Sequence, residues 1–244
     1  MTIQTGEVTT METYLGPDQP SAFTTDDAAV PGSRVQELTA TTPALPGSIL
    51  VVCTANLVRS PVARVFLDEG LRGVDISVAS AGLAAREGQP MSPGMREQLP
   101  PALTAAADAA SSRVLTRDLI LSADLLLTAT RPQRAAVVTT VPTALKRTFT
   151  LGEFAAWATA LDARLALDGA VPPTTLAEFV ARIPEVRATR RIADNEFDID
   201  DPTGRSRAAH RRTFALIEAT TTQIAAALVG TARRTAGAGL SAPR

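Results

Sequence analysis

The sequence predicts an α/β fold: a four-stranded parallel sheet with helices on both faces and a phosphate-binding loop after the first strand. Three observations carry this. Short apolar runs alternate with stretches of helical periodicity, the order expected of parallel strands joined by right-handed crossovers. The leucines at 125, 126 and 127 are consecutive, as in a strand covered on both faces. The first run ends in the only cysteine, Cys53, and within six residues reaches Arg59, then Ser60 and Pro61. That order places reactive groups beyond the carboxyl end of a strand, where open α/β sheets bind ligands.

Residues 48–53 read as the first strand, bounded by Pro46-Gly47. Residues 60–71 read as a helix, with Val62, Val65, Phe66 and Leu71 on roughly one face, Pro61 suited to its first turn, and Gly73 closing it. Residues 75–81 form the second strand. A loop covers 88–94, and 95–109 is a weakly patterned helix. The third strand lies in 122–130, a helix in 132–141, and the fourth strand in 147–151. Residues 152–196 read as a helical insertion: one helix over 153–167, a break at Pro172-Pro173, and a second over 175–183 capped by Thr174 or Thr175. The last helix covers about 206–229, with Phe214, Ile217, Ile224 and Leu228 at helical spacing, and 230–244 is expected to be a flexible tail. Residues 1–46 carry Glu7, Glu12, Asp18, Asp26, Asp27 and Glu37 against Arg34 alone, with no apolar period. They read as an acidic, mostly disordered arm, its plain role solubility and its alternative role docking or autoinhibition. The domain proper is then 47–229.

The segment from Cys53 to Ser60 has the residue types of a phosphate cradle. The backbone N–H groups of residues 54–59 (Thr54, Ala55, Asn56, Leu57, Val58 and Arg59) are expected to point inward, with Arg59 closing the ring as a bidentate donor. A helix N-terminus adds favourable potential for an anion and for a thiolate. A free cysteine is most often a small core hydrophobe, but a core cysteine has no use for Arg59.

These residues resemble the low-molecular-weight protein tyrosine phosphatase family, whose signature is Cys-x5-Arg-Ser after the first strand. The likeness extends to Ser80-Ala81-Gly82 at the end of the second run and to Asp201-Pro202 near the C-terminus, and spans roughly 48–229. It implies Cys53 as nucleophile, Arg59 as phosphate ligand, Ser60 as hydrogen-bond donor to the sulfur, and Asp201 as general acid, with Pro202 fixing the chain beside it. Asn56 is expected to hold the loop in shape, with Ser80 as partner. Asp200 is the alternate acid in an acidic stretch that also holds Asp194, Glu196 and Asp198. Departures from the family are Ala55 for a frequent glycine, Val58 for a second cysteine, and Thr203 and Arg86 for rim aromatics. Ser80-Ala81-Gly82-Leu83 is similar to bacterial members linked to exopolysaccharide kinases.

The resemblance implies a cytoplasmic enzyme acting on a phosphotyrosine protein, an autophosphorylating bacterial tyrosine kinase being one candidate, without metal or cofactor. An arsenate reductase coupled to a small thiol, or a phosphate-binding module without turnover, are the alternatives. Composition narrows the field. The 244 residues are 45% hydrophobic with formal net charge -1, which gives no case for nucleic-acid binding. One cysteine and one histidine, His210, leave no Cys-rich metal site and no intramolecular disulfide; His210 lies in a basic helical stretch and reads as a solvated surface residue. No stretch reads as apolar and long enough to span a bilayer, and no basic start followed by an apolar core suggests a secretory signal.

Overall fold

The computed structural model describes residues 45–187 and 197–240, all within the unit formed by residues 39–244. The arm expected at 1–46 therefore lies almost wholly outside the described residues, as do residues 188–196 of the expected insertion and the last four residues.

Strand β1 (Gly47–Cys53) is central. It pairs in parallel with β2 (Ile76–Gly82) on one side and β3 (Leu125–Thr128) on the other, and β4 (Thr148–Thr150) extends the sheet beyond β3, giving the order β2-β1-β3-β4. The register sets Cys53 opposite Gly82, Val52 opposite Thr128, and Thr128 opposite Thr150. All four carboxyl ends thus finish along one edge. Successive side chains of a strand point to opposite faces. Ile49, Val51, Cys53, Leu125 and Leu127 join one apolar cluster, and Leu50, Val52 and Leu126 join another.

The first face is covered by α1 (Arg59–Gly70), α6 (Leu151–Asp168) and α9 (Arg207–Leu240). They bury Val62, Val65 and Leu67, then Phe154, Trp157 and Leu161, then Ile217, Ile224 and Leu228. Phe66 of α1 meets Phe214 of α9 edge-on, ring centroids 5.4 Å apart. The second face is covered by Ile120 of α4 (Arg117–Ser122), Val137 of α5 (Arg131–Thr140), and Ala144 in the 3-10 turn Pro142–Arg147.

Several boundaries differ from expectation for local reasons. The helix expected over 95–109 is two short ones, α2 (Pro93–Arg96) and α3 (Pro101–Asp108). Pro100 and Pro101 lack N–H donors and push the preceding residue out of helical geometry. Helix α4 was not expected; Thr116 caps it, its hydroxyl accepting from Leu119 N at 3.2 Å. Leu151 opens α6 instead of ending β4, because Thr150 and Glu153 form a reciprocal capping box. Helix α7 (Leu176–Ala181) is capped by Thr175, and α8 (Pro184–Arg187) follows it.

The C-terminal expectation needs correction. Residues 230–240 are not a flexible tail but the continuation of α9. Thr231 and Ala232 are fully buried, and Asp162 of α6 accepts from the Thr231 hydroxyl at 2.9 Å and pairs with Arg234. Gly230 marks a close approach: a Cβ there would sit 2.9 Å from Asp162 Oδ1. Lengthened this way, residues 207–238 form a helix long and apolar enough to cross a membrane by length and composition. That corrects the reading that no stretch qualifies. Half of its most apolar stretch is buried inside the protein, as the core helix of a sheet domain would be.

Candidate active site

The loop after β1 is shaped from below by Asn56. This residue is buried and takes a left-handed backbone, φ 56°, which asparagine tolerates better than most residues. Its Nδ2 donates to Ser60 Oγ at 2.8 Å and to Ser80 Oγ at 2.9 Å, while its Oδ1 accepts from Arg113 N at 2.9 Å. One amide thus ties the loop to β2 and to the segment before α4. Because Asn56 donates to Ser60, the Ser60 hydroxyl proton is free to point at the Cys53 sulfur, 3.0 Å away. Its other acceptor, the Ala81 carbonyl, is farther at 3.5 Å.

Gly82 gives Ser80-Ala81-Gly82 its physical reason. A Cβ on Gly82 would lie 2.6 Å from the Thr54 carbonyl oxygen and 2.8 Å from Asn56 N. The strand end can carry only a hydrogen where the loop backbone passes. Leu83 N and Ala84 N then donate to the carbonyls of Cys53 and Thr54 at 3.0 and 2.8 Å. Gly82→Ala is expected to cost about 1–3 kcal/mol of stability and to weaken inhibition by phosphate and vanadate as the loop shifts. Thermal unfolding and inhibition constants check this; wild-type values in both would mean that the strand end does not shape the loop.

The interior of the loop is set for an anion. Among the described residues, no backbone N–H group of residues 54–58 donates to a protein acceptor. Helix α1 starts at Arg59 with no side-chain cap and no acidic residue in its first turn, so its positive end is left for a ligand. Arg59 is 4% exposed, and its Nε is buried without a partner. An unpaired guanidinium donor in the interior is costly, and an oxyanion above the loop would satisfy it. Cys53 is 2% exposed at the base of a cavity of about 160 Å³ that Ala55, Leu57, Val58, Arg59, Ser92, Asp201 and Thr203 also line.

Across this cavity lies Asp201, whose Oδ2 accepts from Arg59 Nη2 at 2.6 Å. Its Oδ1 accepts from Thr203 N at 3.0 Å and from the Thr203 hydroxyl at 2.7 Å. Burial pushes the Asp201 carboxyl up. The Thr203 hydrogen bonds and the charges of Arg59 and Arg205 outweigh it, and the net position is below the usual carboxylate range. Asp200 points elsewhere, 3.6 Å from Arg205, and Asp198 accepts from Arg131 N at 2.9 Å.

The structure thus brings Cys53, Arg59, Ser60, Asn56, Ser80 and Asp201 together. Sequence reasoning missed their supports. Thr203 entered only as a replaced aromatic, yet it holds Asp201. The Ile199 carbonyl accepts from Arg59 Nη1 at 3.1 Å. Buried Gln133 donates to the Thr54 hydroxyl at 3.1 Å while also capping α5. A Thr-x-x-Gln capping signal was visible at 130–133, but nothing in it pointed to Thr54. No group of three or more His, Cys, Asp or Glu able to hold a metal occurs among the described residues.

A buried cysteine at a parallel strand's carboxyl end, ringed by free N–H groups and a buried arginine, defines an α/β protein with a cysteine-based oxyanion site. The sequence pattern of the low molecular weight phosphotyrosine protein phosphatases matches residues 48–165. A relative, the probable low molecular weight protein-tyrosine-phosphatase EpsP of Ralstonia nicotianae, is 36% identical over 108 residues, 43% of this chain and 71% of that one. The chain belongs to the low molecular weight phosphotyrosine protein phosphatase family, a family of enzymes. Solved structures share the fold. The Erwinia amylovora tyrosine phosphatase AmsI is 21% identical with a TM-score of 0.53, covering 75% of this chain and 93% of its own. The YwlE arginine phosphatase from Geobacillus stearothermophilus is 25% identical with a TM-score of 0.52, covering 82% and 100%. The matched family segment ends within α6, so the placement of Asp201 rests on its contact with Arg59.

Proposed function

We propose that the chain is a cytoplasmic protein tyrosine phosphatase that hydrolyses phosphotyrosine through a phosphocysteine intermediate on Cys53. The observation that carries this reading is the convergence of Cys53, Arg59 and Asp201 on one small cavity. The Cys53 thiolate attacks phosphorus in line, the bond from phosphorus to the phenolic oxygen breaks, and the Asp201 carboxylic acid gives its proton to that oxygen. Arg59 and the N–H groups of residues 54–59 hold the equatorial oxygens throughout. Water then attacks the phosphocysteine, the Asp201 carboxylate takes its proton, and the phosphorus–sulfur bond breaks to release phosphate. The Ser60 hydrogen bond eases departure of the sulfur as thiolate. Such a thiol needs a reducing compartment, which supports the cytoplasm. The relatives' names support a phosphotyrosine protein as partner, an autophosphorylating tyrosine kinase being the candidate.

The acid separates this reading from a phosphate-binding module, which needs no proton donor. The test is vanadate-sensitive release of phosphate from a phosphotyrosine peptide, run beside phosphoarginine and phosphoserine peptides and beside arsenate reduction with added small thiols. Fastest release from the phosphotyrosine peptide is expected. Arsenate reduction without peptide hydrolysis, or preference for another phosphorylated residue, would replace the proposal.

A further inference from the structure

We propose that a basic cleft beside the catalytic loop docks carboxylate-rich sequence flanking the phosphorylated residue, so that the enzyme selects acidic contexts. This rests on the tyrosine phosphatase reading above. The cavity over Cys53 offers little for choosing among phosphoproteins. It is about 160 Å³, its side walls include Ala55, Leu57 and Val58, and no aromatic residue lines it among the described residues. Discrimination has to come from outside it.

Two chain segments lead outward from that cavity into a second one. Ser92 and Thr203 line the first. Two residues further along each segment, Gly94 and Arg205 line a cleft of about 320 Å³, together with Glu97, Gln98, Arg207, His210 and Arg211. Two residues of chain span at most roughly 7 Å, so the cleft opens at the rim of the catalytic cavity. An extended peptide advances roughly 3.3 Å per residue. Side chains two to four positions from a phosphotyrosine seated over Cys53 would reach the cleft.

The cleft's charge is one-sided. Among the described residues of its lining, Arg205, Arg207 and Arg211 face a single acid, Glu97. Arg205 leans toward Asp200 at 3.6 Å with both side chains largely exposed, and Arg207 and Arg211 make no ion pair with a described residue. His210 Nδ1 lies 3.2 Å from the Ser206 carbonyl and so carries a proton there, which leaves Nε2 on the side of Gly94. Arg207 and Arg211 also sit at the start of α9, whose first turn holds no acid. Cations at a helix N-terminus oppose its dipole, so this arrangement does not serve the fold. With carboxylates in the cleft the sign reverses, because the arginines and the helix end then attract the same group.

The test uses the full chain and phosphotyrosine peptides carrying glutamates at the second and third positions on either side, against matched glutamine peptides. At low ionic strength one glutamate peptide is expected to show about tenfold higher kcat/KM, with most of the advantage lost in about 0.5 M salt. An Arg207→Gln/Arg211→Gln protein is expected to lose the preference and to hydrolyse p-nitrophenyl phosphate as the wild type does. Equal rates on glutamate and glutamine peptides in both orientations, or a preference that survives the double substitution, overturns the proposal. Failure of the wild type to hydrolyse p-nitrophenyl phosphate would count against the phosphatase reading alone. The cleft is then read by binding of the labelled glutamate peptide to Cys53→Ser protein, which the double substitution must weaken.

Discussion

Replacing Cys53 by serine is expected to reduce turnover by on the order of 10⁴-fold or more, while the protein still binds phosphate and vanadate. Loss of a covalent nucleophile removes the whole first step, and effects of this kind dwarf those of supporting residues. A hydroxyl at the same place is a poor nucleophile at neutral pH, and a phosphoserine would have no easy exit as alkoxide. The groups proposed to hold the oxyanion are separate: the backbone N–H groups of residues 54–58 and the buried Nε of Arg59, which have no protein acceptor among the described residues. Serine is also nearly isosteric, so the contact with Ser60 that now spans 3.0 Å can persist as a hydrogen bond. Steady-state turnover of p-nitrophenyl phosphate and calorimetric titration with phosphate measure the two halves. Substantial retained turnover would remove Cys53 from the chemistry. Loss of phosphate binding with an intact fold would mean that the sulfur itself organises the loop.

How much of this site was legible follows from sequence distance. Cys53, Arg59 and Ser60 lie within eight residues, and a strand-to-helix turn brings them together whatever the rest of the chain does. The Asn56–Ser80 contact is one parallel pairing away, since β1 and β2 align Cys53 with Gly82. The support from Ile199, Thr203 and Gln133 was not legible. For Ile199 and Thr203 it depends on how the segment before α9 folds back over β3, where Ile199 N donates to the Ala129 carbonyl at 2.8 Å, and for Gln133 on how α5 meets the loop after β1. No local pattern encodes an arginine reaching a carbonyl 140 positions later. In the fold, the four strands and the helices alternating with them could be read from apolar runs, but not the strand order β2-β1-β3-β4. Helix α4, at six residues, is too short to show a period. Gly230 reads as a stop until the neighbouring Asp162 is seen to fill the space where a side chain would go.

Asp201→Asn is expected to slow hydrolysis of poor leaving groups by roughly 100- to 10,000-fold and of good ones far less, because only a basic phenolate needs a proton as it departs. The geometry favours Asp201 over Asp200: the first faces Arg59 at 2.6 Å, whereas the second lies 80% exposed beside Arg205. The same contacts set a pH signature. Burial tends to raise the Asp201 carboxyl, but hydrogen bonds from Thr203 and the charges of Arg59 and Arg205 hold it below its ordinary range in the ligand-free site. An acid held low loses its proton at low pH, so the basic limb of kcat/KM, which reports free enzyme, should fall early. A bound phosphate ester draws Arg59 away and adds negative charge beside the carboxylate, and both changes raise its proton affinity. The basic limb of kcat, which reports the complex, should therefore lie at higher pH than that of kcat/KM, provided chemistry limits turnover. In Asp201→Asn protein that limb should disappear from both profiles. Rates of Asp201→Asn and Asp200→Asn on aryl phosphates of graded leaving-group pKa decide the assignment. A steeper dependence in Asp200→Asn would move the acid by one residue, and no change of slope in either would mean that the proton comes from elsewhere.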